Sequence, residues 1–168
     1  MNSNELRKWV LRMQIKDFLG IFAVDQLQHI KPSNLGVLIF NTDIATNVGK
    51  HWVGLHIGRD ILTLFDPLGY QNLDFSCSYL KRFLKQQNKN IFTNNIQIQA
   101  NTSFNCGIHC LLFCYIMSKG NARSTFKLFL SQFDLSHISE REQLAIKMFS
   151  VISEDNFDHI VSAAPHNS

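Results

Sequence analysis

The chain has 168 residues, of which 45% are hydrophobic and 17% are charged. This length and composition suit one globular domain with a substantial core; they exclude long disorder and leave too little chain for two domains of ordinary size. The net charge of +3 is too small to indicate a nucleic-acid-binding protein by itself. The longest apolar run, Cys110 to Met117, has eight residues, whereas a membrane-spanning helix needs about 20. We therefore expect no contact with a membrane.

The start of the chain and its cysteines indicate a reducing, intracellular compartment. Charged residues recur from Glu5 to Asp17 and interrupt the apolar core that a secretory signal requires. The cysteines are Cys77, Cys106, Cys110 and Cys114. Three of them repeat every fourth residue in one apolar segment, and neighbours on one helix face rarely form a disulfide.

The first half of the chain predicts a helix and then strands. Apolar residues at helical spacing predict an amphipathic helix over residues 4–19, with Gly20 as its stop signal. The run from Val37 to Phe40 has the profile of a buried strand. Residues 51–57 and 60–65 read as a β-hairpin.

A two-residue type II′ turn at Gly58-Arg59 would fix the register of this hairpin. Paired residue numbers would then sum to 117, which places His51 directly opposite Asp66. A three-residue loop would shift this pairing by one residue.

The second half predicts mainly helices. Ser76 or Ser78 would cap a helix whose apolar face includes Leu80 and Phe83, and Ile96 to Gln99 alternates like a strand. Residues 106–117 are apolar nearly all round, which is typical of a buried central helix. Two further helices are expected near 123–133 and 139–152, the second announced by a Ser139-x-x-Glu142 capping box. The fold class is therefore α/β or α+β: a small mixed sheet flanked by helices.

Cys106 is a candidate nucleophile because Asn105 is placed to be the N-cap of the buried helix. A cysteine in the first turn of a helix lies near the positive end of the helix dipole, which favours the thiolate. The alternative is that Cys106 is one more small apolar core residue. Cys110 and Cys114 lie deeper in the helix and fit core packing.

His51 and Asp66 would form a base and its orienting acid. A carboxylate that faces a histidine fixes the imidazole tautomer and stabilises the imidazolium, as a base serving a thiol requires. Asp66 also precedes Pro67, which favours extended backbone at the strand end. The alternatives are a histidine of no catalytic consequence and an aspartate that belongs only to a turn.

Gln99 lies seven residues before Cys106. Its amide could donate a hydrogen bond to a developing oxyanion beside the Cys106 backbone N–H. The order His, Asp, Gln, Cys predicts nucleophilic catalysis more strongly than any of the four residues alone.

A metal site is not expected. Cys106, His109, Cys110 and Cys114 cluster on one segment, but structural zinc sites draw on a tight turn and a second, distant pair of ligands. Beyond this segment the only cysteine is the isolated Cys77, and His51 and His56, five residues apart on one strand, face opposite sides.

The order of these motifs resembles that of the adenain family, the adenovirus-type maturation proteases. The matching segments are Phe18-Leu-Gly-Ile-Phe22, His51-Trp52, Leu64-Phe-Asp66-Pro-Leu-Gly69 and the Gln99-x6-Cys106-Gly107 block. Asp66 stands where the adenoviral enzymes carry Glu. The resemblance spans about residues 15–118.

This resemblance implies a papain-like or adenain-like cysteine protease fold with the nucleophile at the start of the central helix. Residue by residue, it implies Cys106 as nucleophile, His51 as general base, Asp66 as orienting acid and Gln99 as oxyanion donor. We also expect substrate contacts from Gly20 and Trp52, which lie in the matching motifs, and from Asn105.

By the same resemblance, the substrates would be precursor proteins of a DNA virus or related mobile element, cut next to small residues such as glycine. The protein would then act in the host nucleus or cytoplasm and in the virion. No cofactor would be needed for the chemistry, but the related enzymes are activated by a peptide and by DNA. Cys77 is the one candidate for a disulfide with such a peptide, and it lies further from Gln99 than the resemblance leads us to expect.

Non-specific DNA binding would use the basic stretch from Lys81 to Lys127. Seven basic residues and no acidic ones lie between Phe75 and Phe133, whereas Asp134 to Ser168 holds six acidic and two basic residues. The alternative is a solvated helix face with scattered lysines.

Three functions remain open from the sequence. The first is the maturation endopeptidase, and the second is a deconjugating protease for SUMO or ubiquitin-like proteins, which shares the order of the four residues. That second group typically has glutamine six residues before cysteine, whereas the spacing here is seven. The third is a binding module with a vestigial triad.

Overall fold

The computed structural model describes residues 1–69, 77–120 and 122–163, without the side chains of residues 122 and 155–163. Five strands form one sheet in the order β1-β2-β3-β4-β5. The outer pairs, β1 with β2 and β4 with β5, are parallel, and the two inner pairs are antiparallel. The strands are β1 (Phe18–Ala23), β2 (Gly36–Asn41), β3 (Trp52–Ile57), β4 (Ile61–Phe65) and β5 (Asn90–Thr93).

The helices cover both faces of this sheet. They are α1 (Ser3–Arg12), α2 (Ser78–Gln87), α3 (Cys106–Met117), α4 (Ala122–Ser131) and α5 (Ile138–Ala163), with a 3₁₀ helix at Val24–His29. One hydrophobic cluster joins one face of the sheet to α1, α3, α4 and α5. A second joins the other face to α2 and the 3₁₀ helix. The predicted fold class, a small mixed sheet flanked by helices, is confirmed.

The first helix is shorter than the sequence predicts. Asn2 caps α1 and forms a capping box with Glu5, but the helix ends at Arg12, so the predicted helix over 4–19 is wrong beyond that residue. Gln14 and Asp17 have positive φ, a conformation that ends a right-handed helix. The chain then enters β1, which pairs in parallel with β2 and has a register shift between Phe18 and Gly20.

The hairpin forms as predicted, but its register differs from the predicted register. Gly54 pairs with Phe65 and Ile57 with Leu62, so paired numbers sum to 119, not 117. The Gly58 N–H donates to the Ile61 carbonyl at 2.8 Å, which moves the two-residue turn to Arg59-Asp60. Gly58 is not among the glycines with positive φ, whereas a type II′ turn at Gly58 requires positive φ there.

The central helix begins and ends where the sequence predicts, at Cys106 and Met117. Its side chains are buried nearly all round, and it packs on β3 and β2. Phe113 stacks on Phe65 of β4 with ring centroids 5.0 Å apart. This packing fixes the first turn of α3 against the sheet.

In the second half of the chain, the strand does not form where the sequence predicts it. Residues 96–99 are not a strand: the N–H groups of Ile98 and Gln99 both donate to the Pro67 carbonyl. The strand in this region is the unpredicted β5, which pairs with β4 instead. The four residues of β5 are too few to show a clear alternation.

Two predicted helix caps are also wrong. Cys77 occupies the N-cap position of α2 and makes no side-chain cap, so Ser78 is inside the helix, while Ser76 lies outside the described residues. The observed helix α5 is longer than the helix predicted over 139–152, since it starts at Ile138 and runs to Ala163. Glu142 does not close a capping box with Ser139, because its carboxylate binds residues of another segment.

In the parts of the chain that the structure describes, no helix combines the length and the apolar composition needed to cross a membrane.

Gly54 of β3 provides a test of the packing of α3 on the sheet. A Cβ at Gly54 would lie 2.5 Å from Cδ1 of Phe113, so we expect Gly54→Ala to destabilise the protein by about 1–3 kcal/mol through overpacking. Urea denaturation measures this change. Combining it with Phe113→Leu should recover part of the loss in a double-mutant cycle. Purely additive effects of the two substitutions would contradict the predicted contact.

Candidate active site

His51 and Asp66 lie just outside the paired ends of β3 and β4. The observed register places them diagonally across the hairpin, not directly opposite, and diagonal neighbours are within reach of long side chains. His51 Nε2 lies 2.7 Å from Asp66 Oδ1, and the Asp66 side chain is 1% exposed. The contact expected from the sequence is therefore present, although the register used to predict it was wrong.

A local turn and one distant side chain hold Asp66. The Leu68 N–H donates to Asp66 Oδ1, and the Gly69 N–H donates to the Asp66 carbonyl, both at 2.9 Å. Asp-Pro-x-Gly is a favoured sequence for such a turn. Asn94, fully buried after β5, accepts from the Asp66 N–H and donates to the Asp66 carbonyl. Asn94 cannot be recognised from the sequence pattern, because that pattern does not predict β5, which Asn94 follows.

Asn41 organises the loop before His51. Its Oδ1 accepts from the N–H groups of Asp43 and Lys50, at opposite ends of that loop. Gly49 has φ of +84°, and a Cβ there would lie 2.7 Å from Asn41 Nδ2. The loop therefore folds tightly around a side chain at the end of β2 and delivers His51 to the start of β3.

Cys106, in the first turn of α3, lies beside the His51 ring, close enough for each side chain to shift the pKa of the other. Burial raises the pKa of the Cys106 thiol, but the hydrogen bonds from His51 and from the backbone of Trp52 and Gly107 outweigh it, so the pKa is lowered.

His51 shows the complementary change. Burial lowers the pKa of His51, but its hydrogen bonds with Asp66 and Cys106 outweigh this effect and raise the pKa to about 9. A lowered thiol pKa beside a raised imidazole pKa favours a thiolate and an imidazolium. Cys110 and Cys114 are fully buried, and burial raises the pKa of both thiols. They have the packing role expected from the sequence.

Gln99 lies on the segment that leads into Cys106. Its side chain is 3% exposed, and Nε2 donates to the Ser103 carbonyl at 2.8 Å. An amide nitrogen carries two hydrogens, so the second remains for another acceptor. The expected partner donor, the Cys106 N–H, belongs to the first turn of α3, where backbone N–H groups have no acceptor within the helix.

The loop between Gln99 and Cys106 and the residues just before it are held by α5, a contact that the sequence pattern does not predict. Arg141 donates to the carbonyl of Gln97, two residues before Gln99, at 3.1 Å. The adjacent Glu142 accepts from residues of the loop. Its motif with Ser139 suggested a local helix cap, which concealed this tertiary role.

A cleft of about 810 Å³ opens beside Cys106 and is also lined by His51, Trp52 and Gln99. The Trp52 indole N–H donates to the Met1 carbonyl at 2.9 Å. Exposed apolar side chains such as Val48 and Phe104 form part of the rim. A cleft of this kind can receive an extended chain with apolar side chains.

Two residues expected to contact substrate do not line this cleft. Gly20 lies in β1 with φ of +143°, and a Cβ there would meet the ring of Phe22 at 2.9 Å. Asn105 is at the N-cap position of α3, but its side chain makes no cap and donates to Glu142 instead. Both residues shape the protein around the site without facing the cleft.

The structure divides the basic residues between opposite faces of the sheet. Lys81, Arg82 and Lys85 are exposed on α2, whereas Lys127 is exposed on α4. Lys89 Nζ instead donates to the carbonyls of Pro32 and Gly58. None of the basic side chains between Lys81 and Lys127 lines the cleft.

Within residues 1–69, 77–120 and 122–163, no group of three or more His, Cys, Asp or Glu side chains is placed to hold a metal ion.

The adenovirus endoprotease family model matches residues 18–128, more than half of the chain. This chain belongs to that family, and the predicted family is confirmed. The match includes His51, Asp66, Gln99 and Cys106 and ends before α5.

Among solved structures, the chain is similar in fold to the central domain of the uncharacterized Lpg1148 protein from Legionella pneumophila. The TM-score is 0.53 at 12% identity, with 94% of this chain and 98% of that chain covered. A structure titled "AvrA delL154 with IP6, CoA" gives a TM-score of 0.44 at 14% identity, covering 83% of this chain and 53% of that chain. No curated protein matches the sequence.

The pairing of Cys106 with His51 predicts that Cys106 is alkylated at lower pH than an ordinary thiol. Because the thiol pKa is lowered, we expect iodoacetamide to label Cys106 well below the ordinary thiol pKa of about 8.5. His51→Ala should slow this labelling at pH 6 by about tenfold or more. Peptide mass spectrometry locates the label.

His29→Ala is the matched control, because His29 is exposed and outside the cleft. It should leave the Cys106 profile unchanged. If Cys106 is labelled at the same rate at pH 6 in His51→Ala and in His29→Ala, His51 does not activate the thiol.

Proposed function

We propose that this protein is a cysteine endopeptidase in which Cys106 is the nucleophile, His51 the general base and acid, Asp66 the orienting acid and Gln99 an oxyanion donor. The observation that carries the proposal is the arrangement of buried Asp66, His51 and Cys106: His51 Nε2 lies 2.7 Å from Asp66 Oδ1, and the interaction between His51 and Cys106 raises the pKa of His51 and lowers the pKa of the Cys106 thiol. This arrangement ends at the open cleft, where a peptide can reach the sulfur. Membership of the adenovirus endoprotease family supports the same chemistry.

The proposed reaction has two stages. The Cys106 thiolate attacks the scissile carbonyl, and Gln99 Nε2 and the Cys106 N–H stabilise the resulting oxyanion. The His51 imidazolium gives its proton to the leaving amine, and the acyl group remains on sulfur as a thioester. A water molecule then gives a proton to His51 and attacks the thioester, which releases the acid and restores the thiolate and imidazolium.

Asp66 supports both stages without exchanging a proton. Its buried carboxylate holds Nε2 of His51, so Nδ1 is directed to the sulfur. It also stabilises the imidazolium after each proton uptake. Substitution of Asp66 should therefore lower kcat less than substitution of His51.

We infer that the substrates are polypeptides bound in an extended form and cut next to small residues such as glycine, and that they are precursor proteins of a virus or a related mobile element. Cys106 is only 8% exposed, which supports small residues next to the cut. The exposed apolar rim of the cleft supports binding of the flanking residues. An activating peptide or DNA remains part of this proposal, as does action inside a host cell.

Substitutions test the assigned roles. Cys106→Ala and His51→Ala should each lower kcat for a glycine-containing peptide by about 10³-fold or more, and Asp66→Asn should lower it less. Gln99→Ala should lower kcat by about 10²-fold, the usual effect of removing one oxyanion donor. Steady-state kinetics measures these changes, and circular dichroism verifies that the variants remain folded.

Cys77→Ala is the matched control for Cys106→Ala. Cys77 is half-buried at the start of α2, away from the cleft, and its substitution should leave kcat unchanged. Full hydrolysis by Cys106→Ala would exclude the proposed mechanism.

A second experiment separates endopeptidase from deconjugase. A probe made from a ubiquitin-like protein with a reactive Gly-Gly end should label a deconjugase stoichiometrically. We expect this protein to cleave internal bonds of short peptides and to react poorly with such a probe. Rapid stoichiometric labelling, together with no peptide cleavage, would assign the protein to the deconjugases.

A further inference from the structure

Glu142 lies near the start of α5 and is 9% exposed. Its Oε2 accepts from the Ala100 N–H at 3.2 Å, and its Oε1 accepts from the Asn105 side-chain amide at 3.1 Å and from the Ser103 hydroxyl. These partners lie 37–42 residues earlier in the chain. One carboxylate therefore fastens the 100–105 loop to a different helix at three points.

Each end of this loop carries one of the two proposed oxyanion donors. Gln99 directly precedes the loop, and Cys106, whose N–H is the other donor, directly follows it. The Gln99 side chain donates to the carbonyl of Ser103, and Ser103 is itself bound by Glu142. The conformation of the loop therefore sets the distance and angle between the two donors.

We propose that Glu142 is a positioning residue for the oxyanion donors: its carboxylate holds the 100–105 loop so that the Gln99 amide and the Cys106 N–H converge on the same point. This inference rests on the proposed function. It also extends the site beyond the segment that matches the family, because that segment ends at residue 128.

The charge of Glu142 suits this role. Burial raises the pKa of Glu142, but the hydrogen bonds from Ser103, Asn105 and Ala100 and the nearby His109 outweigh burial and lower the pKa. The carboxylate is therefore ionised at neutral pH, and hydrogen bonds to an ionised acceptor are stronger than neutral ones. His109 Nε2 lies 3.7 Å from Oε1, but burial lowers the pKa of His109 to about 4, so at neutral pH its ring is uncharged and does not neutralise Glu142.

The activation of the thiol does not pass through Glu142. The groups that lower the thiol pKa are His51 and the backbone of Trp52 and Gly107, and none of them is bound by Glu142. Loss of Glu142 should therefore reduce stabilisation of the oxyanion and leave the Cys106 thiolate intact. General destabilisation of the protein would instead alter both properties.

The test compares the wild type with Glu142→Ala and Glu142→Gln. Glu140→Ala is the matched control, since Glu140 is exposed on the same helix. Four properties are measured: hydrogen exchange of the Ala100 amide, kcat and KM for a glycine-containing peptide, the alkylation rate of Cys106 at pH 6, and thermal unfolding. Hydrogen exchange does not depend on the activity of the enzyme.

For Glu142→Ala we expect exchange at Ala100 to be about tenfold faster, because a hydrogen bond to a charged group is lost. We expect kcat to fall by about 10- to 100-fold with little change in KM, and Cys106 alkylation to stay within about twofold of wild type. Glu142→Gln, which keeps one oxygen acceptor, should give an intermediate kcat. Glu140→Ala should match wild type in every property.

Several results would overturn the inference. Unchanged exchange at Ala100 would show that Glu142 does not hold the loop, whether or not peptide is cleaved. Faster exchange with unchanged kcat would show that the loop does not position the donors. Equal losses of kcat and of Cys106 alkylation would indicate general damage to the site. If wild type cleaves no peptide and Cys106 is not activated, the proposed function fails first, and with it the positioning role.

Discussion

The active-site geometry depends on the hydrogen bond between His51 and Asp66. Asp66 is almost fully buried, and a buried carboxylate is costly unless hydrogen bonds or an opposite charge compensate for its lost hydration. The Leu68 N–H and the His51 ring provide part of this compensation at Oδ1, whereas Oδ2 is buried without a hydrogen-bond partner among the described residues. The same requirement keeps His51 protonated, and a protonated His51 in turn favours the Cys106 thiolate.

Two separate parts of the fold bring the proposed groups together. The β3–β4 hairpin supplies His51 and Asp66, with Asn94 after β5 holding the Asp66 backbone. The loop before α3 supplies Gln99 and Cys106, and α5 holds that loop. Since Phe113 of α3 packs on Gly54 of β3 and on Phe65 of β4, the core fixes the two parts relative to each other.

The sequence predicts this arrangement where its signals are local and strong. The continuous apolar pattern of α3 predicts its observed bounds, and the four candidate residues can be selected because the local chemistry at each position agrees with the order of a known motif series. The hairpin register could not be predicted correctly. Either Gly58-Arg59 or Arg59-Asp60 can form a two-residue turn, and the choice follows from pairing along the whole strands.

Other features could not be predicted because they depend on tertiary contacts. Strand β5 is four residues long and acquires its conformation by pairing with β4. Glu142 has a sequence signal for a helix cap, yet its carboxylate accepts hydrogen bonds from half-buried N–H and hydroxyl groups of a loop about 40 residues earlier. Asn94 and Asn41 likewise show their roles only after the strands that they follow or end are placed.

The most direct test of the account is an NMR titration of the His51 ring, with ¹⁵N shifts that report the protonation of each nitrogen. The account predicts an imidazolium that persists to about pH 9, because Asp66 and Cys106 both stabilise the charged ring. In Asp66→Asn the titration should move to lower pH. A wild-type His51 that loses its proton near the ordinary value of about 6.5 would show that the ion pair does not form, and would contradict the account.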